Sequence, residues 1–177
     1  MRQIRKNVFE TNSSSSHSLV IRKDELLAEL EEEKYFTHDE MLDSIWLNKN
    51  GVWNASKEDW YFGRFPFRPL DSFRLRFMYA YANFCGDEDK EEELFNLLEE
   101  LLPEIKEFKK PESTGTDDYP LAGWMQQYKI SLREFLTNKK YVVIQDGDEY
   151  NIWKDLIESG LIDTKNIENA EDIVNAM

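Results

Sequence analysis

The run Thr11-Asn12-Ser13-Ser14-Ser15-Ser16-His17-Ser18 is the place where residue types and spacing come nearest to chemistry. Consecutive small hydroxyl residues let a backbone turn tightly and present N–H groups beside side-chain donors, a concavity suited to phosphate or another anion. His17, with an ordinary pKa near neutrality, is suited to act beside them as acid, base or phosphate ligand. Ser15 or Ser16 next to His17 also supplies the first two members of an activated-nucleophile arrangement, but a triad needs an orienting acid that spacing does not reveal. The plainer reading is a serine-rich turn between two strands, with His17 an ordinary strand residue. Both readings stay open on the residues alone.

A second feature is the distribution of charge. The window Asp87–Asp118 holds 13 acidic residues against 4 basic ones, a net −9 of the chain's −14. Glu91, Glu92, Glu99 and Glu100 avoid the leucine positions of this window and are expected to crowd the outer surface of a helix, with Asp117 and Asp118 in the loop beyond. Such a carboxylate face can occupy a groove built for nucleic-acid phosphates, and electrostatic steering speeds its arrival; a solvated helix face is the plainer account. By contrast, Arg64, Arg68, Arg74 and Arg76 surround the lone Asp71. Gln145-Asp146-Gly147-Asp148-Glu149 offers carboxylates after an apolar strand, where Mg²⁺ is sometimes held, but Asp-Gly reads first as a turn. His17 and His38 are the only histidines and supply no metal set by themselves. His38 is expected to be exposed and Cys85, after an aromatic helix, buried. No glycine-rich phosphate loop, zinc spacing or nucleophile elbow is present, so no metal and no cofactor is expected.

The elements that must position these residues are legible in part. Residues 2–9 and 17–22 read as short strands flanking the polar run. A helix is expected near Asp24, with Leu26, Leu27 and Leu30 on one face, and a second from Thr37, where Thr37 and Glu40 have capping-box spacing. The second turns Met41, Leu42, Ile45 and Trp46 inward. Asn48–Pro69 reads as packed loops with one short strand. A helix over Leu70–Phe84 follows, then the strongest periodicity in the chain, Glu88–Phe108, with Leu94, Leu97, Leu98, Leu101, Leu102, Ile105 and Phe108 in a stripe. Pro103 predicts a kink or an early end. Lys109–Pro120 reads as an exposed loop, and Ser131 and Glu134 repeat the capping-box spacing. Tyr141-Val142-Val143-Ile144 is a buried-strand pattern, followed by a helix bearing Ile152, Trp153, Leu156 and Ile157 that ends near Gly160. A weak helix closes the chain. The fold class expected is α+β: a small sheet with strands from both chain ends, and helices clustered in the middle.

Composition bounds the rest. At 177 residues, 41% hydrophobic and 14% aromatic, the chain has enough apolar material for one domain spanning 1–177, with 87–120 as a projecting acidic element. One cysteine excludes an intramolecular disulfide and fits a reducing compartment. No apolar run reaches the roughly 18 residues of a membrane span, and Arg2, Arg5 and Lys6 are not followed by a signal-peptide core; the expectation is a cytoplasmic protein. A net charge of −14 argues against direct nucleic-acid binding through the overall field.

The opening Arg5-Lys6-Asn7-Val8-Phe9-Glu10-Thr11-Asn12-Ser13-Ser14-Ser15-Ser16-His17-Ser18 resembles the signature of a group of proteins encoded mainly by bacteriophages and mobile elements. Weaker similarity covers Phe77-Met78-Tyr79-Ala80-Tyr81-Ala82 and Glu134-Phe135-Leu136 leading into Lys140–Ile144. Where some relatives carry an Asp-His-rich segment, this chain has Trp124-Met125-Gln126-Gln127-Tyr128, without histidine. The resemblance implies a phage-like origin and a shared fold, and brings no reaction with it. Two function classes result. In the first, a phage-type accessory protein acts inside the host bacterial cell, binding and inhibiting a nucleic-acid-handling or defence protein such as a CRISPR effector through its acidic surface. In the second, a small-ligand or nucleotide-binding protein or enzyme uses Thr11–Ser16 and His17. A virion or scaffold component with neither property is a third.

Overall fold

Tyr141-Val142-Val143-Ile144 carries apolar side chains on both faces, the pattern of an interior strand covered on both sides. The computed structural model, which describes residues 16–55, 62, 68–110, 120–146, 152–160 and 163–176, places it there. Strand β5 (Tyr141–Asp146) is the middle of a three-stranded antiparallel sheet, flanked by β1 (Ser16–Ile21) and by the short β3 (Arg68–Leu70). Leu19 pairs with Val143, which pairs with Leu70; one row outward, His17 pairs with Gln145, which pairs with Arg68. The protein is therefore α+β, with sheet strands from both ends of the chain and helices between. The expected strand over residues 2–9 lies outside the described residues.

The described residues fall into two compact units. The first draws on 16–34, 68–71 and 139–176. It contains the sheet, helix α1 (Asp24–Glu29), α7 (Ile152–Glu158), a 3-10 turn (Thr164–Asn166) and α8 (Ala170–Ala176). On one face of its sheet Val20, Val142 and Ile144 pack with Ile167 and Ile173, and Ile157 and Ala170 close over them. Strand β1 is an edge, and an open edge is a template for unwanted pairing. Here Asn169 closes it: its side chain accepts from the Ile21 N–H at 2.9 Å and donates to the Leu19 carbonyl at 2.7 Å. The Glu168 N–H adds a bond to the Ile21 carbonyl at 2.7 Å.

The second unit draws on 35–62 and 72–138. It contains α2 (His38–Asp43), β2 (Val52–Asn54), α3 (Phe73–Phe84), α4 (Glu88–Leu101), β4 (Glu107–Lys109), α5 (Leu121–Tyr128) and α6 (Leu132–Thr137). The capping box at α2 forms in full, with Thr37 and Glu40 each accepting the other's backbone N–H. At α6 only half forms. Ser131 accepts from the Glu134 N–H, but the Glu134 carboxylate bonds the Tyr35 hydroxyl and the Asn138 amide instead. Helix α3 is buried on nearly every side, and its Asn83 supplies the cap that Pro120 cannot, accepting from the Leu121 N–H at 3.0 Å.

Several expectations need correction. Helix α4 stops at Leu101, because the residue before Pro103 is driven out of the helical region and Leu102 adopts φ −136°, ψ 73°. Phe108 consequently lies in β4, paired with Trp53 in a parallel two-stranded ribbon, and its ring packs 5.0 to 5.6 Å from Trp53, Phe77, Tyr81 and Phe95. Gly51 allows the close approach behind that ribbon: at φ +75°, a Cβ would stand 2.7 Å from the Glu104 carbonyl. Leu70 belongs to β3 and not to α3. Trp46 is 81% exposed although Ile45 beside it is buried, since α2 ends at Asp43 and helical spacing no longer sets the direction of the side chains beyond it. Leu30, just past α1, is exposed for the same reason. Helix α5 is not among the expected elements, although Leu121, Trp124, Met125 and Tyr128 have helical spacing. Lys109 and Lys110 are exposed as expected, and the rest of that loop to residue 119 is outside the described residues.

Removing the edge clamp should be costly. Asn169→Ala should lower unfolding free energy by about 1–3 kcal/mol in urea denaturation, because it strips partners from two buried backbone groups. Asn169→Asp, which keeps only the acceptor, should lose a comparable amount; an unchanged midpoint in both would show that the clamp contributes nothing.

Candidate functional site

The acidic helix is the first candidate. Along α4, Leu94, Leu97 and Leu98 are buried. The opposite side carries Glu88, Asp89, Glu92, Glu93, Glu99 and Glu100, all exposed. At 3.6 residues per turn these six fall on one continuous face. Glu88, Asp89 and Glu93 thus join the face read from the sequence, and the signal that identifies them is their spacing relative to the leucines. Glu91 leaves it. Its side chain is only 17% exposed, one oxygen lying 2.6 Å from Lys110 Nζ while the other accepts from the Gly86 N–H at 2.8 Å. Partial burial works to raise its pKa, but Lys110 and the Gly86 amide outweigh that and hold it below the ordinary carboxylate value. Glu91 is therefore a structural tether between the start of α4 and Lys110, whose ammonium also sits 5.1 Å and 5.5 Å over the Phe95 and Tyr81 rings. Asp117 and Asp118 lie outside the described residues.

The helix ends give this face its meaning. Carboxylates in the first turn, Glu88 and Asp89, complement the positive end of the helix dipole, and Asp87 caps it by accepting from the Lys90 N–H. Hydrogen bonding to Lys90 holds the Asp87 carboxyl below its usual pKa. Glu99 and Glu100 stand at the other end, where the dipole disfavours negative charge and no basic residue occupies the last turn. Glu100 is bonded by Arg133 of α6. Among the described residues, Glu88, Asp89, Glu92, Glu93 and Glu99 have no ion-pair partner.

The hydroxyl run is the second candidate. Ser16 is the first residue of β1 and His17 the second, half-buried opposite Gln145. Thr11, Asn12, Ser13, Ser14 and Ser15 lie outside the described residues. His17 is thus a strand residue, and the sheet register sets Gln145 across from it with Arg68 one strand further on. Arg68 and Gln145 stand in separate segments singled out for other reasons, and nothing in the sequence joins them, because strand register is not written in either segment. Of the four arginines read together, Arg76 is fully buried inside the second unit and Arg64 is not among the described residues.

Other expectations resolve simply. His38 is exposed, with Nε2 3.2 Å from Glu104 and Nδ1 3.6 Å from Asp39. Cys85 is exposed, against expectation, because it lies past the last turn of α3. Burial, with Cys85 and Glu91 beside it, pushes the Tyr81 hydroxyl well above its ordinary pKa. Asp146 ends β5, and the Gly147–Glu149 turn is outside the described residues. Among the described residues no cluster of three or more histidines, cysteines and carboxylates is placed to hold a metal ion, and no helix is long and apolar enough to cross a membrane. No protein family, curated protein or solved structure matches the chain.

The His38–Glu104 pair has a pH signature. The hydrogen bond to Glu104 raises the His38 pKa from 6.5, with Asp39 adding to it against a smaller opposing effect of desolvation. A raised folded-state pKa contributes stability that is complete below 6.5 and fades as pH climbs through the raised value. Wild type should therefore exceed His38→Gln in urea midpoint near pH 5.5 and match it near about pH 8.5. A difference that is constant across that range would rule the linkage out.

Proposed function

We propose that this protein is a binding protein that docks the acidic outer face of α4 onto a basic, nucleic-acid-binding surface of another protein and blocks that surface. The observation that carries the reading is the exposed row Glu88, Asp89, Glu92, Glu93, Glu99 and Glu100, opposite a buried leucine side. Folding explains part of it: the first-turn carboxylates stabilise the helix. It does not explain Glu99, which sits at the negative end of the helix dipole, whereas Glu100 beside it is held by Arg133. Like charges one turn apart, Glu88 with Glu92 and Asp89 with Glu93, also weaken an isolated helix by a few tenths of a kcal/mol each. Carboxylates kept where the helix gains nothing from them are carboxylates available to a partner.

The resemblance of the opening run to phage and mobile-element proteins narrows the partner to a nucleic-acid-handling or defence protein of a bacterial host, a CRISPR effector foremost. In that setting the acidic face takes the place of the phosphate backbone, and the inhibitor acts by competition inside the host cell. Negative potential spread along one helix speeds encounter with a positive groove more than it adds contact energy.

Competition between this protein and duplex DNA for a purified CRISPR effector is the direct test. The wild type should displace DNA, and raising salt from about 50 to about 300 mM should weaken it steeply. The triple variant Glu92→Lys, Glu93→Lys, Glu99→Lys should lose about tenfold or more in affinity, mainly through slower association. Glu91→Gln, whose carboxylate is used internally, should lower thermal stability and leave the association rate intact. Displacement that ignores both salt and the triple reversal would remove the acidic face from the mechanism.

A further inference from the structure

Trp46 is the most exposed large apolar side chain among the described residues. The backbone on both sides of it is fixed. Ile45 before it is buried, and its N–H bonds the Leu42 carbonyl at 3.2 Å. Leu47 after it is half-buried and bridges the buried Trp53. The Asn48 N–H adds a bond to the Val52 carbonyl at 3.1 Å. With both neighbours engaged by the second unit, the residue between them is held out in solvent. An aromatic side chain carries about 150–250 Å² of surface to bury, and folding gains nothing from an indole left in water.

The chemistry around the indole selects what would cover it. From Thr37 to Trp46 the chain carries Asp39, Glu40 and Asp43 and no lysine or arginine. Glu40 is occupied in the capping box of α2. Asp43, three residues before Trp46, is exposed and without an ion-pair partner among the described residues, and the Asp39 side chain is 94% exposed. Lys49, the nearest cation in the chain, belongs with Asn50, Gly51, Pro103, Glu104 and Lys106 to a depression of about 510 Å³ that Trp46 does not line. An indole with carboxylates beside it suits a guanidinium above other side chains: the plane stacks on the ring while the N–H fork meets a carboxylate. An ammonium has neither the plane nor the fork. A wholly apolar partner would take water from Asp43 and return no hydrogen bond.

We propose that Trp46 is an anchor for an arginine on the basic surface of a partner protein, with Asp43 meeting the same guanidinium. The inference rests on the reading of α4 as a face for basic surfaces, and it adds which basic side chain the partner must present. His38 at the start of α2 lies 3.2 Å from Glu104, just past α4, which ties the two elements together inside the second unit. The two features have different tasks. Carboxylates along α4 govern how fast a positive surface arrives, whereas an aromatic held in place in advance governs how slowly it leaves, and binding energy at interfaces concentrates in tryptophan, tyrosine and arginine.

Capped hexa-arginine and hexa-lysine peptides carry equal charge and so separate the stack from the field. Titrated calorimetrically into the full chain at about 50 mM salt, hexa-arginine should bind about fivefold tighter than hexa-lysine. Trp46→Ala should bring the two within about twofold by weakening hexa-arginine alone, with an unchanged unfolding temperature because the side chain is exposed. Trp46→Tyr should keep part of the preference. The triple variant Glu92→Lys, Glu93→Lys, Glu99→Lys should weaken both peptides together and keep the preference. Equal binding of the two peptides by wild type, or a preference that survives in Trp46→Ala, overturns the anchor; salt-sensitive binding of both in that case leaves the acidic face of α4 standing. Binding of neither peptide overturns both readings. Self-association in sedimentation that Trp46→Ala abolishes would assign the indole to a second copy of the chain and overturn the anchor as well.

Discussion

The second unit is organised around one buried cation. Helix α3 has nine of its twelve residues buried, and Arg76 is among them at 0% exposure. A charge in that position is tolerable only if its donors are bonded and its field is opposed. The backbone answers this at Nη1, which donates to the Asn138 carbonyl at 2.6 Å and to the Phe135 carbonyl at 3.4 Å. Those carbonyls belong to the end of α6, where a helix presents unsatisfied oxygens and partial negative charge. The guanidinium also lies 5.0 Å over the Phe36 ring. One side chain thus joins α3, the end of α6 and the strap at Tyr35–Phe36, which is itself held by the Phe36 N–H bond to the Thr137 carbonyl at 2.8 Å. Lysine would not reproduce it, because its ammonium lacks the planar guanidinium that lies over the Phe36 ring while Nη1 reaches the carbonyls.

With α3 fixed, the rest of that unit is set by what can cover an almost wholly apolar rod. Phe77 and Tyr81 gather Trp53, Phe95 and Phe108 into one ring cluster with centroids 5.0 to 6.2 Å apart. Tyr79 meets Phe62 and Trp124 on another side. Helix α4 contributes its leucine side and Phe95 to this packing, and on its outer side only Glu100, bonded by Arg133, is tied to another helix. That division explains how one helix holds so many carboxylates. The leucines give the stability and the carboxylates are left for solvent or a partner, with Glu91 alone drawn inward by Lys110 and Gly86.

The first unit solves a different problem with the same logic. Its sheet has three strands, of which β3 is only three residues long, and a sheet that small has little cross-strand pairing to rely on. Asn169 completes the β1 edge in place of a fourth strand, and the α8 side covers one face with isoleucine. Each of these buried polar groups has an identifiable task. Asn169 closes an edge, and Gln145 joins Arg68 to the row at the sheet end.

What is legible from the sequence alone depends on neighbours within a few residues. The leucine stripe of α4, the Thr37–Glu40 box, the Ser131 cap, the β-rich run of β5 and the α+β class all follow from periodicity and capping, which are local. The exposure of Trp46 and Cys85, the exit of Phe108 from the helix into a ribbon, and the inward turn of Glu91 depend on where elements end and what lies across from them. Arg68 and Gln145 are 77 residues apart, and Asn169 and Ile21 are 148 apart. Strand register and edge closure arise from hydrogen bonds between such distant segments, and no pattern within either segment encodes its partner. The sequence by itself determined most of the stretches that become helix or strand, though not α5 or β4, and that the chain is acidic; the tertiary structure alone decided which carboxylates stay outside and which polar residues meet in a row, because burial and pairing are properties of assembled segments.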